Sequence, residues 1–355
     1  MSHVENLAAH LQKGEALMVT APHTRRYLTG FPSSDGVVLI TPDTAVYMTD
    51  FRYIEAAQRA VKSMQARMYK RQSEGVAQFL GDQKIERVYV EASQMPLADA
   101  AFWEEKLTGI ELVRDKSLDE WMRTERLVKT PAEVQGIRAA QALTDYGFEH
   151  ILPLIRAGRT EREVALDLEW IIRKQGAEGV AFEFIVVSGA NGALPHGVPS
   201  DKPIEPGDFI TMDFGALLDG WHSDMTRTVA VGKVSDEQRH IYDTVLKAQL
   251  AGLASLHEGL PCKDGDAAAR DVIDAAGYGE AFGHSTGHGV GVEIHEEPSL
   301  APSAGDTVLQ AGNVVTVEPG IYLPGNCGVR IEDMALITHD GHENLTASPK
   351  ELITL

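Results

Sequence analysis

Asp213, Asp224, Glu318 and Glu332 supply four carboxylates, and His288 supplies an imidazole between the two pairs. Four hard oxygen donors and one nitrogen suit Mn²⁺, Co²⁺, Fe²⁺ or Zn²⁺ better than a thiolate set would. Four negative charges balance two divalent ions, and two metals about 3.5–4 Å apart can clamp both oxygens of a hydrolytic transition state. Taken singly, each residue has a plainer reading. Asp213 and Glu318 could be capped strand ends, Asp224 a solvated acid on an exposed hairpin, His288 a turn or core histidine, and Arg330 a surface residue. Recurrence in matching contexts is what favours a metal site.

Those contexts are two copies of one segment. Residues 204–215 read I-E-P-G-D-F-I-T-M-D-F-G and residues 309–320 read L-Q-A-G-N-V-V-T-V-E-P-G. The offset from Asp213 to Glu318 is 105 residues, and a second acid follows in each copy, Asp224 or Glu332. Two related halves therefore each bring two acids near strand ends, converging on a pseudo-twofold axis. In the first half, F-I-T-M before Asp213 and M-T-R-T-V after Asp224 read as strands. Gly215 and Gly220 are the expected turn positions between them, so a hairpin would carry both acids to one end. A carboxylate inside a buried strand needs a neutralising cation, and the nearest in sequence is Arg227. Glycines flank His288 in G-H-S-T-G-H-G-V-G-V, which lets backbone approach closely.

Composition narrows the setting. The 355 residues suggest about two domains. A net charge of −20 argues against non-specific nucleic-acid binding, which needs a basic surface, so no nucleic-acid partner is expected. Two cysteines, Cys262 and Cys327, fit a reducing compartment rather than a disulfide framework. The N-terminal run lacks a basic-then-apolar signal, and no apolar stretch reaches membrane-spanning length. A cytoplasmic protein with no membrane partner is the expectation.

Residues 1–125 alternate strand-like runs (near 16–19, 36–40, 45–48 and 87–90) with helix-like ones (51–61, 73–80 and 97–106), an α/β pattern. In T-D-F-R-Y, Asp50 is expected to cap the helix that follows. Residues 126–355 read as an α+β domain. Thr130-Pro-Ala-Glu133, Thr160-Glu-Arg-Glu163 and Ser235-Asp-Glu-Gln238 are capping boxes opening three helices. A fourth helix fits 264–276.

The motifs L-P-H-G at 194–197, M-D-F-G at 212–215, S-D-M-T-R-T at 223–228, H-S-T-G-H-G-V-G at 284–291, H-E at 295–296, V-E-P-G-I-Y at 317–322 and G-V-R-I-E-D at 328–333 together resemble the pita-bread metallopeptidases. That family includes methionine aminopeptidase, aminopeptidase P and prolidase. R-R-Y-L-T-G-F at 25–31 and T-D-F-R-Y at 49–53 resemble the creatinase-type N-terminal domain of the proline-specific branch, although Arg25 stands where that branch often has Asn. The resemblance implies a creatinase-like domain over 1–125 and a pita-bread catalytic domain over 126–355.

It further implies two divalent ions, Mn²⁺ first, with Co²⁺, Zn²⁺ or Fe²⁺ as alternatives. Asp213 would ligate one metal, His288 and Glu318 the other, and Asp224 and Glu332 would bridge them. Glu318 also matches the family's general base beside a shared hydroxide. His196, His284 and His295 match histidines lining the cleft, with His196 and His295 on the scissile carbonyl and its oxyanion. Arg330 and Thr226 would orient ligand carboxylates. The implied substrates are short peptides with proline second, and the implied assembly is a homodimer.

A proline amide lacks an N–H and has a fixed φ, so it needs a dedicated pocket. Glu297-Pro298-Ser299-Leu300 after the His-Glu pair offers no cation for a free proline carboxylate. An Xaa-Pro aminopeptidase therefore stands first and an Xaa-Pro dipeptidase second. A metal-free creatinase-type hydrolase or an interaction protein on the same fold is the remaining alternative.

Overall fold

The computed structural model describes residues 2–355 and divides into two compact units that meet in sequence at Arg126 and Leu127. The first unit holds strands β1 (Glu15–Val19), β2 (Val37–Ile40), β3 (Ala45–Thr49), β4 (Gln65–Met68), β5 (Arg87–Val90) and β6 (Glu111–Val113). They form one mixed sheet in the order β4-β3-β2-β1-β5-β6. Around it lie α1 (His3–Ala8), α2 (Pro22–Thr29), α3 (Ile54–Ala60), α4 (Gln72–Asp82), α5 (Leu97–Lys106) and α6 (Ser117–Leu127). Alternation sends Leu17, Val38 and Tyr47 into one core and Met18, Leu39 and Val46 into another. The central strands are buried on both faces, which is why they read as unbroken apolar runs.

One local expectation needs correction. The helix after the T-D-F-R-Y run begins at Ile54 with Tyr53 at its cap. Asp50 instead accepts from the Arg52 backbone at 2.9 Å and pairs with its guanidinium at 2.7 Å, closing the preceding turn. The short α2 lacks a side-chain N-cap bond, so it carries no start signal of the boxed kind.

In the second unit, α7 (Pro131–Ile151), α8 (Glu161–Lys174) and α9 (Asp236–Ser255) begin at Thr130, Thr160 and Ser235 with both reciprocal capping bonds formed. The fourth helix, α10 (Cys262–Ala275), starts two residues before its expected position. The strands are β7 (Gly179–Val180), β8 (Ile185–Ser188), β9 (Phe209–Phe214), β10 (Ala216–Leu218), β11 (Trp221–His222), β12 (Met225–Ala230), β13 (Gly287–Gly289), β14 (Glu296–Leu300), β15 (Val314–Val317), β16 (Gly320–Leu323), β17 (Cys327–Arg330), β18 (Asp333–Thr338) and β19 (Gly341–Asn344).

The sequence repeat is a structural repeat. β12, β9 and β8 pair in that order, and β18, β15 and β13 do the same in the second half. Each long antiparallel pair brackets a smaller hairpin, β10–β11 in one half and β16–β17 in the other. A helix pair packs on one face of each half-sheet. Phe148, Leu168 and Ile172 meet Met212, Phe214 and Met225, while Leu253 and Cys262 meet Val315, Val317 and Ala335. Because successive strand residues point to opposite faces, Asp213 and Thr226 face away from that core.

Gly215 does not serve as a turn. A Cβ there would lie 1.8 Å from the Ser223 carbonyl oxygen, so this glycine permits close passage of the chain, while the tight turn falls at Asp219 and Gly220, both with positive φ.

Candidate metal centre

Each acid occupies a strand terminus dictated by the repeat. Asp213 lies in β9 opposite Thr226 of β12, and Asp224 immediately precedes β12. Glu318 immediately follows β15, and Glu332 immediately precedes β18. The Glu332 backbone N–H donates to the Thr226 carbonyl at 3.1 Å, tying the two halves together beside the acids. His288 is central in β13, where a Cβ on Gly287 would come within 1.9 Å of the Thr316 carbonyl.

All five expected ligands line one cleft of about 750 Å³. Ligand atoms of Asp224, His288 and Glu332 lie within 4.8 Å of one another. His288 Nε2 sits 3.5 Å from both Asp224 Oδ2 and Glu318 Oε1. Its Nδ1 is 3.0 Å from the Gly289 carbonyl oxygen, which can only accept, so Nδ1 carries the proton. Burial lowers the His288 pKa to about 4, so the ring is neutral. Its Nε2 lone pair therefore points at two carboxyl groups, an arrangement that a cation between them, or a proton on a carboxyl, makes favourable.

The remaining geometry passes the same test. Asp213 Oδ1, Asp224 Oδ1 and Glu332 Oε1 are buried without a hydrogen-bond partner, a costly condition for carboxylate oxygens. Burial raises the Glu318 pKa to about 8. Burial and then the Glu332 charge raise Asp224, and burial and then the Glu318 charge raise Glu332. With no cation bound, the cluster holds protons. One guanidinium, Arg330, faces four acids, so two divalent ions would neutralise the set with one positive charge to spare. That surplus suits an anionic nucleophile. The donor set fits the expected metals.

Arg227 is not the counter-charge. It points to the helix side of β12 and pairs with Asp333 at 2.7 Å. The cluster's cation is Arg330, whose Nη2 donates to Asp213 Oδ2 at 2.6 Å. Arg330 Nε also donates to Thr226 Oγ1 at 3.1 Å, and the Thr226 hydroxyl donates to Glu332 Oε2 at 2.7 Å. Thr226 and Arg330 thus orient one acid from each half.

Tyr322, which has no role assigned from sequence, also belongs to the site. Its hydroxyl accepts from Arg330 Nη1 at 2.8 Å and donates to His284 Nε2 at 2.8 Å. His284 Nδ1–H donates to the Ser285 carbonyl at 2.8 Å. Burial raises Tyr322 to about 12 and lowers His284 to about 4, so the tyrosine keeps its proton and the ring is neutral. His284 lines the cleft, yet both its nitrogens are engaged by the protein. His196 and His295 line the same cleft and are solvent-exposed. The His295 ring stands edge-on to His288, with centroids 4.3 Å apart.

Residues 135–339 match metallopeptidase family M24, and residues 6–128 match the creatinase/prolidase N-terminal domain. The chain belongs to metallopeptidase family M24. Its pita-bread fold and metal dependence are those of the family. The chain is 38% identical to an Xaa-Pro dipeptidase of Pyrococcus horikoshii, over 96% of this chain and 94% of that protein. Among solved structures it resembles an Xaa-Pro dipeptidase from Bacillus anthracis, with a TM-score of 0.95, 43% identity and 99% of both chains covered. It also resembles an X-Pro aminopeptidase from Thermotoga maritima, with a TM-score of 0.93, 35% identity and full coverage of both. Among the described residues of this M24 chain, no helix is long and apolar enough to cross a membrane.

Proposed function

We propose that this M24 peptidase hydrolyses the bond between an N-terminal residue and a following proline in short peptides. The observation that carries the reading is the inward-facing set Asp213, Asp224, His288, Glu318 and Glu332, with a neutral imidazole lone pair aimed at carboxylates. These five residues would hold two divalent ions, Mn²⁺ first. When bound, the ions supply Lewis acidity and lower the pKa of the attacking water.

The chain's own residues supply the rest. Glu318 accepts a proton from the attacking water and returns it to the proline nitrogen as the C–N bond breaks. His196 and His295 donate to the carbonyl oxygen as it gains negative charge. Arg330, locked by Asp213, Thr226 and Tyr322, fixes the acids so that little reorganisation accompanies the reaction. Val180, Phe182, Ile185 and Ile294 give the cleft an apolar wall suited to a pyrrolidine ring.

Dipeptides are placed ahead of longer peptides, reversing the order suggested by the absence of a cation after Glu296. Support comes from the relatives named Xaa-Pro dipeptidase and from Arg162, which lines the cleft. Its side chain is more than half exposed and held by Asp201 at 2.9 Å. Arg162 could receive a proline carboxylate. The aminopeptidase reading is supported by the open cleft of about 750 Å³, well within the range for ligands larger than a dipeptide. A comparison of Ala-Pro, Ala-Pro-Ala and Ala-Ala-Ala with added Mn²⁺ tests the assignment. Cleavage of Ala-Pro above all supports the dipeptidase, Ala-Pro-Ala above all the aminopeptidase, and equal cleavage of Ala-Ala-Ala overturns both.

A further inference from the structure

Lys129 and Glu296 form an ion pair at 3.0 Å with side-chain exposures of 2% and 6%. Neither belongs to the acid cluster, and they stand 167 residues apart. Glu296 Oε1 accepts the backbone N–H groups of Val292 and Glu293 at 2.9 and 3.0 Å. A Cβ on Gly291 would lie 2.5 Å from Glu296 Oε2, so the loop closes tightly around this carboxylate. The Gly291 carbonyl is held in turn by the His222 backbone N–H at 2.9 Å. At the other end of the pair, the Lys129 backbone donates to the Gly312 carbonyl at 2.8 Å, and Asn313 Nδ2 donates to the Leu127 carbonyl at 2.8 Å.

The clamped loop ends in His295, directly before Glu296. The Glu296 backbone is also registered opposite Gly289, the neighbour of His288. The Glu296 carboxylate therefore fixes the loop on one side of His295, and the Glu296 backbone pairing fixes the strand on the other.

We propose that Lys129 and Glu296 are positioning residues that set the His295 imidazole against His288 and the reacting carbonyl. The inference rests on the role given to His295 above. A buried ion pair gains little over an apolar pair of the same volume, so stability alone is a weak reason for one here. An apolar pair, however, could not accept the Val292 and Glu293 N–H groups. Lys129, 3.0 Å from Glu296 Oε2, holds the carboxylate aimed at them.

The test uses the full chain with Lys129→Met and Lys129→Met/Glu296→Gln. The glutamine side chain of the double variant retains an acceptor oxygen for the loop while leaving no buried charge unpaired. In the Mn²⁺-loaded enzyme, Lys129→Met is expected to lower kcat for Ala-Pro at least tenfold with KM changed less than twofold, and the double variant to recover most of kcat. In metal-free protein, the ring ¹H–¹³C signals of His295, assigned with His295→Gln, are expected to shift in Lys129→Met and return in the double variant. This second readout stands even if Ala-Pro is not a substrate, which separates failure of the positioning role from failure of the peptidase reading. Wild-type kcat in a Lys129→Met protein with a lowered Tm, or unmoved His295 signals, would overturn the proposal. Should Lys129→Met not fold, Lys129→Arg is read by the same two measurements, with a displaced His295 signal and lowered kcat expected and wild-type values contradicting it.

Discussion

Arg227 and Asp333 pair at 2.7 Å with side-chain exposures of 1% and 0%, joining the strand after Asp224 to the strand after Glu332. Arg227 also donates to the carbonyl oxygens of Glu332 at 2.6 Å and Ser348 at 2.7 Å. Lys350 and Asn344 approach the other oxygen of Asp333 at 2.6 and 2.8 Å. The pair therefore braces the back of the metal centre while remaining outside it.

Replacing Arg227 by Met leaves a buried carboxylate with Lys350 as its remaining close cation. Breaking such a pair costs about 3–5 kcal/mol, and the lower end is expected because Lys350 persists. The check is thermal melting of the metal-loaded protein, where a fall of roughly 6–12 °C is predicted. An unchanged melting temperature would show that the brace carries no stability.

Thr226→Val removes a hydroxyl that links Arg330 to Glu332 and keeps the side chain's shape. Groups that orient metal ligands typically contribute about 10- to 100-fold in affinity. Mn²⁺ titration of the variant should show weakening in that range with the melting temperature of the metal-free protein lowered only modestly. Wild-type affinity would remove Thr226 from the site.

Without metal, Glu318 titrates near 8 rather than 4.5, and Asp224 and Glu332 move in the same direction. A carboxyl raised by folding contributes stability below its unfolded value and loses it as pH climbs through the folded one. His284 and His288 run the other way, from 6.5 to about 4, so their contribution is complete above 6.5 and lost as pH falls. Between about pH 6.5 and 8 the carboxyls decide the slope. Glu91, raised to about 7 by burial, lies outside the metal centre and affects metal-free and loaded protein alike. Chelated protein should lose more melting temperature from pH 6.5 to 8 than Mn²⁺-loaded protein, in which only the Glu91 share of the fall remains. Parallel pH profiles for the two forms would contradict the titration assigned to the cluster.

If Arg162 receives the proline carboxylate, Arg162→Ala should raise KM for Ala-Pro about tenfold or more, the scale of one charge-assisted bond, and leave Ala-Pro-Ala nearly unaffected. Equal effects on both substrates would assign Arg162 to the cleft wall alone.

Much of this site was legible because its signals are local or periodic. Thr130 with Glu133, Thr160 with Glu163, and Ser235 with Gln238 mark helix starts by a three-residue chemistry that the fold cannot easily override. The 105-residue offset between Asp213 and Glu318 exposed the two halves, since each strand must present its acid on the face opposite its helices. What escaped depends on distances that sequence does not encode. Arg227 is nearest to Asp224 along the chain, but strand alternation turns it away, and Arg330 arrives from the other half. Tyr322 mattered only once Arg330 and His284 were seen on either side of its hydroxyl. Gly215 resembled a turn residue because a glycine needed for close passage has the same letter as one needed for positive φ.

The most direct test is metal stoichiometry measured alongside hydrolysis of Ala-Pro. Exhaustively chelated protein is predicted to be inactive, to take up two Mn²⁺ per chain, and to regain activity as they bind, whereas Asp224→Ala should lose both uptake and activity. Full hydrolysis by metal-free protein, or two tightly held ions in the Asp224→Ala variant, would contradict the account.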